Sequence, residues 1–320
     1  MGFKYRGVEN REDLKTLIEE VPLTLTNLQG DRILPTIPVK NSSGDMKILP
    51  AGVGHKLTDL ARADNGGYSR TKYELAEDNF QTRVKGAEEE IDNIASLETS
   101  DIFSEEQMAG AIARNRLLLG REKRVADAVF NTTTFSGADY STTVGTKWDQ
   151  ASADFREDIW AAHEKTRGRL KISLDQMDLI LTTDRIRDMI NTLAGKENIK
   201  YTNAIDIANP ATRMSALIQY IGVKSIIAVD SMGDVAGGGL EGKFEFLWNN
   251  TMCMLAQLSP TAGSWRGGGL GRQPVFTKLT SDYIMETYDE EANDKRIVRV
   301  KEQRGEKIFK GYGHLIKGIA

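Results

Sequence analysis

The sequence predicts an α+β fold, and three observations predict it. One amphipathic helix of unusual length lies in the first half of the chain. Strands and helices alternate from Met177 onward, and the pattern after Tyr283 is entirely β. Segregated textures of this kind, with strands and helices alternating only in one part, place the chain in the α+β class.

The elements can be justified in order. A short amphipathic stretch comes first, with Leu14, Leu17, Ile18 and Val21 at helical spacing, and Pro22 ends it. An apolar extended segment follows from Arg32 to Val39. Pro35 and Pro38 rule out a helix there and make a central strand improbable. An apolar arm that cannot pair within its own sheet is expected to lie on something else, and a neighbouring subunit is the natural candidate. A polar excursion comes next. Met46 to Leu49 and Tyr68 to Leu75 read as strands, with Gly52, Gly54, Gly66 and Gly67 between them. A two-stranded hairpin with so little apolar content needs a partner surface.

Ser104 then reads as an N-cap, with Gln107 completing a capping box and Phe103 and Met108 placed as a staple. The helix they start is expected to run to Phe130, about 40 Å at roughly 1.5 Å per residue. Its apolar stripe is Met108, Ile112, Leu119 and Val129. A second helix, Ala153 to Leu170, carries Phe155, Ile159 and Ala162 on one side. Beyond it, strands are expected at Met177–Leu181, Val223–Val229, Phe244–Trp248 and Met252–Leu258. Helices are expected at Asp184–Leu193 and from Asn209 and Pro210 to Gly222. After a glycine-rich loop (Gly263 to Gly271), Tyr283–Tyr288 and Arg296–Val300 flank a turn at Asp289–Asp294, and Ile308–Ile319 adds a last strand or two.

Composition excludes several function classes. The chain has 320 residues, 40% hydrophobic and 28% charged, as in a soluble globular protein. No apolar run is long enough to span a membrane, and Met1 to Asn10 lacks the apolar core of a secretory signal. Cys253 is the single cysteine, so no disulfide forms within the chain. The net charge is −4, and bases alternate with acids, as in EEEIDN and GREKRVAD. Tight nucleic-acid binding is therefore not expected, although a surface that encloses DNA remains open.

Enzyme motifs fail one by one. Gly237, Gly239 and Gly242 match G-x-G-x-x-G, but a strand follows where the dinucleotide fold needs a helix. His163 and Glu164 begin a zinc-protease motif that has Arg167 and Gly168 where the second histidine belongs. Three scattered histidines build no local metal site, so His163 is expected to be packed and hydrogen-bonded. Asp184 and Asp188 share a helix face, where acids answer the helix dipole. No catalytic residue, cofactor site or metal site is expected.

Three stretches carry a resemblance. RILPTIPVK (Arg32–Lys40), EEQMAGAIARNRLLLGREKRVADAVF (Glu105–Phe130) and KRIVRVKEQRGEKIFKGYGHLIKGIA (Lys295–Ala320) resemble the arm, spine helix and closing strands of Hong Kong 97-like major capsid proteins of tailed bacteriophages. The resemblance covers essentially the whole chain and rests on element order, because that family has no short diagnostic motif. It implies an N-terminal arm (1–44), an E-loop (45–85), a peripheral domain with the spine helix (86–176) and an axial domain (177–258). Residues 259–320 would form a glycine-rich connection and the peripheral-domain hairpin with its closing strand.

The function implied is a self-assembling subunit of hexamers and pentamers in an icosahedral phage head, located in the virion capsid and assembled in the bacterial host cytoplasm. Implied partners are other copies of the chain, a separate scaffolding protein, a portal, a decoration protein and enclosed double-stranded DNA, with no membrane. Arg32, Ile33, Leu34, Ile37, Tyr68, Arg70, Tyr73 and Asn293 are the residues expected at subunit interfaces. Some relatives form lysine–asparagine crosslinks, for which Lys56 or Lys72 with Asn293 are the conceivable partners here; most relatives lack them. The alternatives are an encapsulin-like nanocompartment shell and, from another class, an α/β enzyme with a β-rich appendage.

Overall fold

Two sheets and the long helix between them organise the chain. The structure, a computed structural model, describes residues 9–10, 28–48, 66, 74–92, 105–195, 210–234, 243–259, 265, 267–278 and 282–320. In order these form β1 (Glu9–Asn10), a single turn α1 (Gly30–Ile33), β2 (Thr36–Val39), β3 (Ser43–Ile48), β4 (Ala76–Gln81) and β5 (Arg83–Asp92). The long helix α2 (Glu105–Val129), β6 (Ser141–Thr143) and helix α3 (Phe155–Leu170) follow. Next come β7 (Asp178–Leu181), α4 (Thr183–Gly195), α5 (Pro210–Ile221) and β8 (Ser225–Ala228). The remaining strands are β9 (Met232–Asp234), β10 (Phe244–Phe246), β11 (Met252–Ala256), β12 (Gly271–Phe276), β13 (Ile284–Glu290), β14 (Lys295–Arg304), β15 (Lys307–Ile308) and β16 (Gly313–Lys317).

The five-stranded sheet runs β6-β16-β11-β7-β8. Because side chains alternate across a strand, β11 sends Cys253 and Leu255 to one face and Met254 and Ala256 to the other. The first face is covered by α3, α4 and α5 through Phe155, Ile159, Met189 and Leu217. The second meets the last turns of α2 through Val125, Ala126 and Val129. A sheet buried on both faces reads as unbroken apolar runs, which is why these strands were legible. The Cys253 thiol is fully buried, and burial pushes its pKa well up.

The second sheet is built on a long ribbon. β14 pairs with β13 and, from Lys295↔Asp92 to Arg304↔Arg83, with β5. The first half of α2 packs on it with Ala109, Ala111, Ala113 and Leu117 against Ile91, Met285, Val298 and Val300. Small residues let helix and sheet approach closely. One helix therefore serves both sheets, its first half on the ribbon and its second half on the central sheet.

Several expectations are corrected here. Of the expected stripe on α2, Val129 is buried and Leu119 half-buried, but Met108 and Ile112 are exposed; the helix also buries four alanines, Leu117, Val125, Arg121 and Glu122 between its ends. The central sheet also takes β6, α3 and β16 from outside 177–258, so the expected boundaries at 176 and 258 do not separate the packed units. The ribbon strand opposite β3 is Ala76–Gln81, not Tyr68–Leu75, of which only Glu74 and Leu75 are described, outside any strand. Gly237, Gly239, Gly242, Phe103, Ser104 and Asn209 lie outside the described residues. The strand expected after those glycines is present as β10.

Candidate assembly surface

The arm segment does not lie free. α1 is one turn, stopped before Pro35, and β2 adds parallel to β12 from Thr36↔Gln273 to Val39↔Phe276. Pro38 is tolerated because β2 is an edge strand, paired on one side only. Ile33 and Leu34 are fully buried and Ile37 is 2% exposed, packed within their own subunit. The expectation that these three side chains reach a neighbour is corrected: the segment pairs within its own sheet, by an edge the prolines leave open. Arg32 alone of this group is exposed.

A buried carboxylate clamps the segment. Glu122, 2% exposed, accepts from the Gln29 and Gly30 amides at 3.1 and 2.8 Å, the Ser231 hydroxyl at 3.1 Å and Trp248 Nε1 at 2.8 Å. Four donors replace the water that a buried carboxylate would otherwise need. Gly30 is required for this approach, since a Cβ there would sit 2.7 Å from Glu122 Oε2.

On the neighbouring helix position, Arg121 turns to a second cluster. It donates to Glu302 Oε2 at 2.6 Å and to Asp282 and Asp31 at 3.0 and 3.3 Å. Arg124 joins Glu302 to Glu306, and Arg304 bridges Asp31, Asp282 and Glu302. Burial opposes the Arg121 charge, but Glu302, Asp282 and Asp31 outweigh it and hold its pKa up. Burial, and next the Arg121 charge, pull Arg304 down. The cluster ties the arm, the long helix and β14 together. The sequence signals for it were weak: a run of charges in mid-helix and a tryptophan whose N–H must find a partner.

The ribbon β3–β4 is different. It is a two-stranded sheet of its own, paired from Ser43↔Gln81 to Ile48↔Ala76, with exposed and half-buried positions alternating on both strands. Only its root is held. The Thr82 amide and hydroxyl both donate to Ser42 O, Gln303 Nε2 donates to Thr82 Oγ1, and Lys307 pairs with Asp78. Phe80 packs tilted against Trp265, which meets Phe309 edge to face, at centroid distances of 5.6 and 6.5 Å. Gly305 lets the chains cross, because a Cβ would lie 2.1 Å from Gln81 O. Tyr68, Arg70, Tyr73, Lys56 and Lys72 fall outside the described residues. Asn293 is exposed in the turn joining β13 and β14.

A further exposed face was not foreseen. The small hairpin β9–β10 presents Met232, Phe246 and Phe244, the last 68% exposed. With Ala126, Phe130 and Trp248 these edge an open cavity of about 530 Å³. Three-residue strands gave no periodicity from which this could be read. His163 is half-buried and 3.2 Å from Ile172 O, as expected of a packed histidine. Asp184 and Asp188 pair with Arg187 and Arg185. Among the described residues no cluster suits a metal ion, and no helix is long and apolar enough to cross a membrane.

No protein-family model matches the chain, and no curated protein does. Solved structures match throughout. The chain is similar to a phage-related protein from Bordetella bronchiseptica RB50, with a TM-score of 0.67 and 17% identity over 99% of each chain. It is similar to the capsid protein of a native GTA particle, with a TM-score of 0.61 and 11% identity over 94% of this chain and 93% of the other. The capsid protein of cyanophage P-SCSP1u gives a TM-score of 0.57 and 8% identity over 89% and 86%. The chain thus has the mixed α+β major capsid fold that the sequence resemblance implied.

Proposed function

We propose that the chain is a structural subunit that self-assembles into the hexamers and pentamers of an icosahedral phage head enclosing double-stranded DNA. The observation that carries this reading is the ribbon β3–β4, fixed only at its root and packed by neither face on its own core, in a chain that follows the capsid fold from end to end. A ribbon of that kind is marginal in water and gains stability from a neighbour. Many modest contacts of this sort act multivalently, so a closed shell holds while each junction stays reversible. The exposed β9–β10 face supports the same reading, since exposed aromatic clusters mark protein contacts.

The subunit would be a component of the virion capsid, assembled in the bacterial host cytoplasm with a separate scaffolding protein and a portal, and without enzymatic activity of its own. Electron microscopy of the purified protein tests this. Closed particles, capsomers or sheets are expected, and a discrete small oligomer overturns it. Particles recovered from host cells with nuclease-protected DNA support the phage head; particles filled with a protein cargo turn the reading to a nanocompartment. Mature particles boiled in detergent are expected to give a single monomer band, because Asn293 sits in an open turn whose own carboxylates, Asp289, Glu290, Glu291 and Asp294, are all exposed, whereas crosslinking chemistry needs a buried one.

A further inference from the structure

The near-neutral charge of the chain conceals an uneven surface. On β14 every cation has a carboxylate partner: Lys295 has Glu90, Arg296 has Glu106, Arg299 has Glu88, Lys301 has Glu286 and Arg304 has Glu302. On α2, Arg116 pairs with Glu89 and Lys123 with Asp127. The end of α3 carries a local concentration of cations without such partners. Among the described residues, Lys165, Arg167, Arg169, Lys171 and Lys310 make no ion pair with a carboxylate. All but Arg169 are exposed.

Their arrangement is ordered. Lys165 and Arg169 are four residues apart on one flank of the helix, their Cβ atoms about 6 Å apart; Arg167 leaves the other flank, and Lys171 is the left-handed residue that ends the helix. Arg169 lies over the Tyr140 ring at 4.6 Å, and Lys310, arriving from another element, lies over the same ring at 4.9 Å. Arg169 is held there by the backbone carbonyls of Asp139 and Gly313, which fix its position without neutralising it. The helix dipole favours cations at a C-terminus, yet it does not account for Lys310. Beside Arg167 and Lys171 lies an open groove of about 890 Å³, lined also by His163, Gly168, Ile172, Ser173 and Gln176. Glu164 is the acid in that lining, and Asp139 and Asp175 lie at the margins.

We infer that this face, the C-terminal half of α3 together with Lys310, meets the phosphate backbone of duplex nucleic acid and is the inside of the shell. The inference rests on the shell reading for the word inside, and on the unpaired cations for the contact. Duplex DNA carries one charge per roughly 1.7 Å of axis, so clustered cations find phosphates at any sequence. A protein partner needs an apolar or aromatic anchor at the centre of its footprint; the one aliphatic side chain of this lining, Ile172, is half-buried among cations, glycine, serine and glutamine. Five cations per subunit, repeated over a shell, hold packaged duplex loosely at many points without a strong grip at any one.

The test compares two full-length variants that lose the same charge. One carries Lys165→Gln, Arg167→Gln and Lys171→Gln; the other carries Lys123→Gln, Lys147→Gln and Lys278→Gln, exposed positions elsewhere. Binding of a short fluorescent DNA duplex is measured by anisotropy across a salt series. The first variant is expected to bind about tenfold or more weakly, with a salt slope shallower by about 3, and the second to behave as the parent. Equal losses in both, no salt-dependent binding by the parent, or competition by polyglutamate as effective as by duplex overturns the inference. Particle formation is scored separately by microscopy. Absence of particles overturns the shell reading, and absence of duplex affinity overturns this one.

Discussion

The arm segment 28–39 and the ribbon β3–β4 are neighbours in sequence and opposites in packing. Both looked unable to bury themselves. The arm segment is apolar, carries two prolines, and still finds an edge of its own sheet and a buried carboxylate on its own helix. The ribbon is polar, well paired along its length, and finds only a root. Apolar content therefore told where burial occurs, not whose core receives it. On the shell reading proposed above, the segment with little to bury is the one left for another copy of the chain.

That contrast can be broken in four places. The largest effect is expected from Glu122→Ala, which strands the Gln29, Gly30, Ser231 and Trp248 donors in the interior. Urea unfolding of the dissociated subunit should show a loss of about 3–5 kcal/mol; less than about 1 would mean the arm is not clamped there. Next, Ile37→Ala removes a side chain buried in its own subunit and should cost about 2–4 kcal/mol in the same assay. If it instead leaves the subunit intact and weakens only the particle, the arm belongs to the neighbour after all.

A third test sharpens the comparison by perturbing the central sheet, away from both segments. His314 is buried, bonded to Asp139 O and Thr142, and its pKa is lowered from 6.5 to about 4, first by burial and then by the Arg169 charge. The folded form thus binds a proton less readily than the unfolded chain. Stability contributed by the neutral ring is full above pH 6.5 and is lost as pH falls toward about 4. The loss is on the order of 1–3 kcal/mol after allowance for solvent screening. His314→Gln should flatten that slope, and an unchanged slope would trace acid sensitivity to the carboxylate clusters instead. The smallest effect on the subunit is expected from Val84→Ala, at a side chain 61% exposed beside the ribbon root. Unfolding should shift by no more than about 0.5 kcal/mol, while particle yield falls.

Legibility followed the kind of burial. Helix α3 was readable because Phe155, Ile159 and Ala162 are buried at helical spacing, and all three line the core. The strands β7, β8 and β11 were readable as apolar runs. The face of α2 was legible only at its end, where Val129 is buried; its first half buries alanines while Met108 and Ile112 stay outside, and its middle buries Arg121 and Glu122. Arg121 finds Glu302, 181 residues further along the chain, and no local pattern announces so distant a partner. The strand Ala76–Gln81 was missed for a related reason. Its alternation is of polar residues, and Tyr68–Leu75 alternates more conspicuously just before it. The unpaired cations of α3 escaped because interleaving in sequence looks the same whether or not a carboxylate reaches across in space.

The position of β16 has a consequence for how the subunit is made. It lies inside the central sheet, between β6 and β11, yet it is synthesised after every other strand there. Until Gly313 to Lys317 arrive, β11 has one open edge and β6 has no partner at all. A chain arrested on the ribosome before this point holds an unfinished body and should remain sensitive to protease.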